Sequence, residues 1–132
     1  MIVDTSALAA IMLGEPEGDT LARIIAADPH TKMSAATAVE VYAVLDRRGQ
    51  PAQTRRVDAL IAELGITIIP VDEQQVALAR IAYRDFGKGS GHKASLNLGD
   101  VFSYALAATT GEPLVYTGND FPHTDINLAV RW

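Results

Sequence analysis

The chain has 132 residues, 48% of them hydrophobic and 20% charged, with a formal net charge of −5 and no cysteine. That length and balance predict a single domain spanning residues 1–132, large enough to bury a core of its own. Without cysteine, disulfides, thiolate catalysis and thiolate zinc sites are excluded, so any metal must be held by oxygen or imidazole.

No stretch approaches the roughly 20 apolar residues that a membrane span needs, and Met1 opens directly onto a strand pattern with no basic segment before it. The expectation is a cytoplasmic protein with no membrane partner. The acidic balance argues against a protein that coats nucleic acid, but the basic residues are clumped. Arg47-Arg48, Arg55-Arg56 and the stretch Arg84 to Lys93 hold seven of the eleven Lys and Arg residues, enough to serve a polyanion locally.

In chain order, Met1-Ile2-Val3 is a short apolar run that stops at Asp4-Thr5-Ser6, which predicts a buried strand opening into a helix over Ala7 to Leu13. Gly14-Glu15-Pro16 breaks the chain, and Glu17 to Ala27 makes an amphipathic helix with Leu21, Ile24 and Ile25 inward. Thr31 to Ser34 predicts a second strand, with Ser34 capping a helix from about Ala35 to Arg48. Gly49-Gln50-Pro51 turns into a helix reaching Leu64, Gly65 caps it, and Ile66 to Ile69 is the clearest strand by β-branched content. Asp72-Glu73-Gln74-Gln75 resembles a capping box for a helix to Phe86, which makes Asp72 a cap rather than a site residue.

Gly87 to Leu98 is a glycine-rich basic loop. Gly99-Asp100 then opens a nearly all-apolar helix from Val101 to Thr110, stopped by Gly111 and Pro113. Leu114 to Thr117 and Ile126 to Val130 predict two further strands around a turn at Gly118-Asn119-Asp120. About five strands alternating with six helices predict an α/β fold, a three-layer α/β/α domain with a mainly parallel sheet.

In a parallel sheet, ligands sit outside the carboxyl ends of the strands. Asp4 ends the first strand, Glu40 lies a turn and a half into the helix after the second, Asp100 opens the helix before the fourth, and Asp120 follows the fourth. Each has an ordinary use as well: Asp4 and Asp100 stand where helix caps stand, and Asp120 fits a turn. Glu40 fits such a use least, because its neighbours from Ala35 to Leu45 are almost all small or apolar and an unpaired buried carboxylate is costly. Four acids at one edge would raise one another's pKa unless a cation is shared, and Mg²⁺ or Mn²⁺ suits an all-oxygen set.

These residues carry a resemblance. Ile2-Val3-Asp4-Thr5-Ser6-Ala7-Leu8, Glu40, Leu96-Asn97-Leu98-Gly99-Asp100 with Phe102 to Ala107, and Gly118-Asn119-Asp120-Phe121 followed by Thr124-Asp125 resemble the PIN-domain ribonucleases. Within them the chain is similar, over essentially its whole length, to the VapC-type toxins of bacterial type II toxin–antitoxin modules. The resemblance implies an endoribonuclease that uses Mg²⁺, or Mn²⁺, to cleave RNA phosphodiester bonds with a metal-activated water. It also implies inhibition by a cognate VapB-type antitoxin and a homodimer.

Position by position, Asp4, Glu40, Asp100 and Asp120 would be the catalytic, metal-binding acids. Many relatives place an aspartate where this chain has Gly118, so Asp125 is the alternative to Asp120. Thr5 and Ser6 would orient the water, and Asn97 would support the site from behind the acids. On the approach to Asp100, Arg84, Lys88, His92 and Lys93 would hold RNA; His30, His92 and His123 otherwise read as surface residues.

Three other classes share parts of the pattern. A haloacid-dehalogenase-type phosphatase needs a second aspartate where this chain has Ser6. A receiver domain needs a phosphoacceptor straight after the strand Ile66 to Ile69, where Pro70 and Val71 stand. A non-enzymatic interaction module would account for the helices from Ala35 to Leu45 and Val101 to Ala108, apolar around most of their circumference, but not for Glu40.

Overall fold

A computed structural model describes residues 1–46 and 51–130. The strands are β1 (Ile2–Val3), β2 (Lys32–Ser34), β3 (Thr67–Ile69) and β4 (Leu114–Val115). Helices α1 (Thr5–Leu13) and α2 (Gly18–Ala26) join β1 to β2, α3 (Ala35–Asp46) and α4 (Pro51–Glu63) join β2 to β3, and α5 (Glu73–Phe86) and α6 (Asp100–Thr110) join β3 to β4. The strands form one parallel sheet in the order β3-β2-β1-β4. Parallel neighbours cannot be joined by a hairpin, so each connection runs through helices that cover the sheet faces.

Successive strand residues point to opposite faces, and β1 and β4 use both. Ile2 and Leu114 enter a core with Ala82 of α5 and Leu106 of α6, whereas Val3 and Val115 enter a second core with Leu8, Leu21, Ile25 and Val41. The sheet is thus the middle of three layers. Ile2 pairs with Lys32 on one side and Leu114 on the other, which places β1 centrally. Among the described residues no helix is long and apolar enough to cross a membrane.

Several details differ from the sequence expectation. The fifth strand is reduced to one parallel bridge, Leu114 to Leu128, with Leu114 N–H donating to Asn127 O at 2.9 Å and Ala129 N–H to Leu114 O at 2.9 Å. Ser34 does not cap α3: β2 carries it into the interior, where its Oγ is buried with no hydrogen-bond partner. The expected end of that helix at Arg48 and the turn at Gly49-Gln50 lie outside the described residues, as does the basic pair Arg47-Arg48. Asp72 does cap α5, accepting from Gln75 N–H at 2.9 Å.

The apolar circumference of α6 is spent inside the protein, because Val101 and the run Ser103 to Ala107 are buried between the sheet and α5. Exposed apolar side chains stand elsewhere, chiefly Val76, Ile81 and Tyr83 of α5, Leu98 before α6 and Val39 of α3.

Candidate functional site

Because β1, β2 and β4 are parallel, the residues after them emerge at one edge, and this is where Asp4, Glu40 and Asp120 arrive. Asp4 is the N-cap of α1, 2% exposed. Its Oδ2 accepts from Ser6 N–H at 2.9 Å and from Ser6 Oγ at 2.6 Å. Ser6 Oγ in turn accepts from Thr117 N–H at 3.0 Å, which fixes the direction of its proton and ties the end of β4 to the start of α1. Oδ1 of Asp4 is buried with no hydrogen-bond partner. Leaving such an oxygen unsatisfied costs on the order of 1–3 kcal/mol, more for a charged group.

Glu40 reaches back from the second turn of α3, and its Oε2 accepts from Thr5 Oγ1 at 2.7 Å. The two hydroxyls beside Asp4 are therefore engaged with the acids themselves: Thr5 serves Glu40 and Ser6 serves Asp4. Asp100 is the first residue of α6 and is locked to the loop before it. Asn97 N–H donates to Asp100 Oδ2 at 2.7 Å, and Asp100 N–H donates to Asn97 Oδ1 at 3.0 Å.

The Asp100 carboxyl is pushed up to about 7, first by burial and then by the charge of Asp4, with Asp120 and Glu40 adding to it; the Asn97 N–H opposes the rise without cancelling it. The four acids predicted to converge are thus electrostatic neighbours around Asp100. They do not form a closed chelate, since among the described residues no three His, Asp or Glu side chains group tightly enough to hold an ion as they stand.

Asp120 is exposed and starts the short 3-10 turn Phe121–His123 without a side-chain capping bond. Asp125 is placed differently. It accepts from Tyr104 Oη at 2.6 Å and, with Ala108 and Asn127, lines a cleft of about 260 Å³ that none of the four acids borders.

The basic loop is more tied down than its glycines suggest. Lys88 N–H donates to Leu96 O at 2.8 Å and Leu96 N–H to Phe86 O at 2.9 Å, while the His92 ring stands edge-on to Phe86 at 4.9 Å. Arg84 pairs with its neighbour Asp85 through Nε at 2.6 Å and a second nitrogen at 2.9 Å, so its charge is locally offset. Lys88, His92 and Lys93 are exposed, as are His30 and His123.

Sequence reasoning passed over one pair behind the site. Thr37 Oγ1 and Ser103 Oγ lie 3.0 Å apart, both fully buried, joining α3 to α6. Thr37 precedes Glu40 by three residues and Ser103 follows Asp100 by three, so each stands one helical turn from an acid. A small hydroxyl in an apolar helix at that spacing was the available signal.

Comparison with known proteins gives the family and the fold. The PIN domain family matches residues 1–127. The chain is 50% identical over 129 residues to ribonuclease VapC42 of Mycobacterium tuberculosis, covering 98% of each chain. It is 47% identical over 130 residues to ribonuclease VapC28 of the same organism, again covering 98% of each. The crystal structure of M. tuberculosis VapC20 is similar in fold, with a TM-score of 0.70 over 92% of both chains at 21% identity. This chain belongs to the PIN-domain family, among its VapC ribonucleases.

Proposed function

We propose that this chain is a magnesium-dependent endoribonuclease, the toxin of a type II toxin–antitoxin pair, acting in the cytoplasm under the control of a VapB-type antitoxin. The observation that carries this is the gathering of Asp4, Glu40 and Asp120 around a buried Asp100, in a chain half identical to a named ribonuclease. Asp4 Oδ1 has no donor, and Asp100 is held up by burial and then by its neighbours' charge, so a hard dication would satisfy the first and offset the charge around the second. Asp4, Glu40, Asp100 and Asp120 would hold it, and Mn²⁺ would substitute for Mg²⁺ on the same oxygens.

When bound, the ion supplies positive charge for the phosphoryl oxygens and makes water a better nucleophile near neutral pH. The chain's own residues do the rest. Ser6 and Thr5 hold Asp4 and Glu40 in place, Asn97 holds Asp100, and a carboxylate of the group takes the proton of the attacking water. Lys88 and Lys93, exposed on the loop that leads to Asp100, hold the flanking phosphates. The toxin acts as a homodimer, for which Val76, Tyr83 and Leu98 along the α5–α6 groove offer apolar contact.

The rival classes account for less. A phosphatase with Asp4 as nucleophile lacks its second aspartate, since Ser6 stands two residues on and is spent on Asp4 itself; in a receiver domain, Asp72 would be free rather than capping α5. An interaction module leaves the buried acids without a purpose.

The test is cleavage of total RNA with and without Mg²⁺, beside a phosphomonoester control. We expect fragments only with the metal, and a loss of at least about a hundredfold in Asp100→Asn. The metal-free variant should be no less stable than wild type at pH 8. A carboxyl raised by folding makes the folded state progressively less favourable as pH rises from about 4 to about 7, and asparagine carries no such charge. Phosphomonoester turnover without RNA cleavage would overturn the assignment.

A further inference from the structure

Gly99 stands immediately before Asp100 with φ −66° and ψ −45°, ordinary right-handed helical backbone. It is the N-cap of α6, without a side chain to cap with, and nothing in its φ and ψ calls for glycine, since alanine adopts the same conformation without strain. Gly111 and Gly118 are the opposite case: both have positive φ, at 69° and 89°, and open space where a Cβ would go. At Gly99 the space is taken. A Cβ there would lie 2.2 Å from Oε1, 2.3 Å from Oε2 and 2.4 Å from Cδ of Glu40, well inside van der Waals contact.

The carboxylate of Glu40 is therefore set between two neighbours: Thr5 Oγ1, which donates to it, and the bare Cα of Gly99. We infer that Gly99 is a positioning residue whose missing side chain is the seat of the Glu40 carboxylate. This rests on the metal-dependent nuclease proposed above. The loop from Asn97 to Asp100 then sets two acids at once, Asp100 through the Asn97 backbone and Glu40 through the vacancy at Gly99. Because the clash would fall on the free end of a flexible side chain, a methyl group there displaces the carboxylate, breaking its bond to Thr5, before it disturbs the fold.

The test is a double-mutant cycle of Gly99→Ala and Glu40→Ala, read by metal-free Tm and by calorimetric Mn²⁺ binding. In the wild-type background, Gly99→Ala should leave Tm unchanged or lower and weaken Mn²⁺ binding roughly 10–100-fold, the range for residues that orient a ligand. In the Glu40→Ala background, the same change should raise Tm, since the methyl then has room and the lower entropy of the unfolded chain is all that remains. Should Gly99→Ala fail to fold, recovery of folding in the double variant supports the seat, and no recovery overturns it. Equal Tm shifts in both backgrounds, or wild-type Mn²⁺ affinity in Gly99→Ala, overturn it as well. If the wild-type protein binds no Mn²⁺, the proposed function fails, while the Tm cycle, which needs no metal, still decides the contact.

Discussion

Asp120 and Asp125 lie five residues apart in one loop, and the sequence left either able to be the fourth acid. Tertiary packing separates them, since Tyr104 of α6 claims Asp125 with a 2.6 Å hydrogen bond while the charge of Asp120 is felt at Asp100. The Tyr104 hydroxyl is itself pushed upward, by burial first and by Asp125 second, so it stays a donor at any physiological pH. Asp120→Asn should reduce cleavage by an order of magnitude or more. Asp125→Ala, which removes the acceptor, should leave the rate within about twofold and instead lower Tm by a few degrees, the effect of a net hydrogen bond of about 1 kcal/mol in a domain of this size. Single-turnover rates and melting curves for both variants check this, and the reverse order would exchange the two roles.

At the scale of elements, short strands need ties beyond their own ladders, and Glu112 supplies one. From the turn between α6 and β4 it accepts from the Met1 amino group at 3.0 Å and from Lys32 of β2, fastening three strands at the edge away from the acids. Burial alone would raise its carboxyl, but Lys32 and the amino group outweigh that and hold it below the usual value. A carboxyl lowered by folding contributes stability that is present above the unfolded pKa of about 4.5 and lost as pH falls through the folded value. The amino group has the opposite sign. Burial lowers it, but Asp28 and Glu112 raise it above its ordinary value, so its share is lost on the alkaline side. The pairs are half-buried, and partly exposed ion pairs contribute about 0–1 kcal/mol. Glu112→Gln should therefore lower Tm by about 3 °C at pH 7 and by less at pH 3, as scanning calorimetry at both values would show.

For the whole molecule, the question is how a chain of net charge −5 holds a polyanion. Pairing of Arg84 with Asp85 narrows the basic approach to Lys88 and Lys93, both exposed on a loop closed by two backbone hydrogen bonds. Each phosphate contact to a single strand contributes about 0.7 to the slope of log affinity against log salt. The double variant Lys88→Ala/Lys93→Ala, made in a cleavage-dead Asp100→Asn background, should weaken RNA binding and flatten that slope by about 1.4. In the active background, single-turnover cleavage at saturating RNA should hold, because these side chains grip ground state and transition state alike. Salt-dependent affinities that superimpose on those of the parent would mean that the loop does not meet the RNA.

The sequence by itself determined what local rules encode. The apolar run stopped by Asp4, the short strand over Thr31 to Ser34, the cap at Asp72 and the helix breaks at Gly14, Gly65 and Gly111 gave the order of elements, and parallel pairing of the strands carried Asp4, Glu40 and Asp120 to one edge. Local propensity misjudged extent. Ile66 to Ile69, the strongest strand former, became the exposed edge strand, whereas β1, two residues long, became the buried centre. The last expected strand shrank to a single bridge against β4. Tertiary structure alone decided the partners. Thr5 meets Glu40 across 35 residues, Thr117 meets Ser6 across 111, Thr37 meets Ser103 across 66, and Gly99 makes room for Glu40. No local pattern can specify such contacts, because each depends on where packing brings two distant helices or loops, and that is set by the whole core.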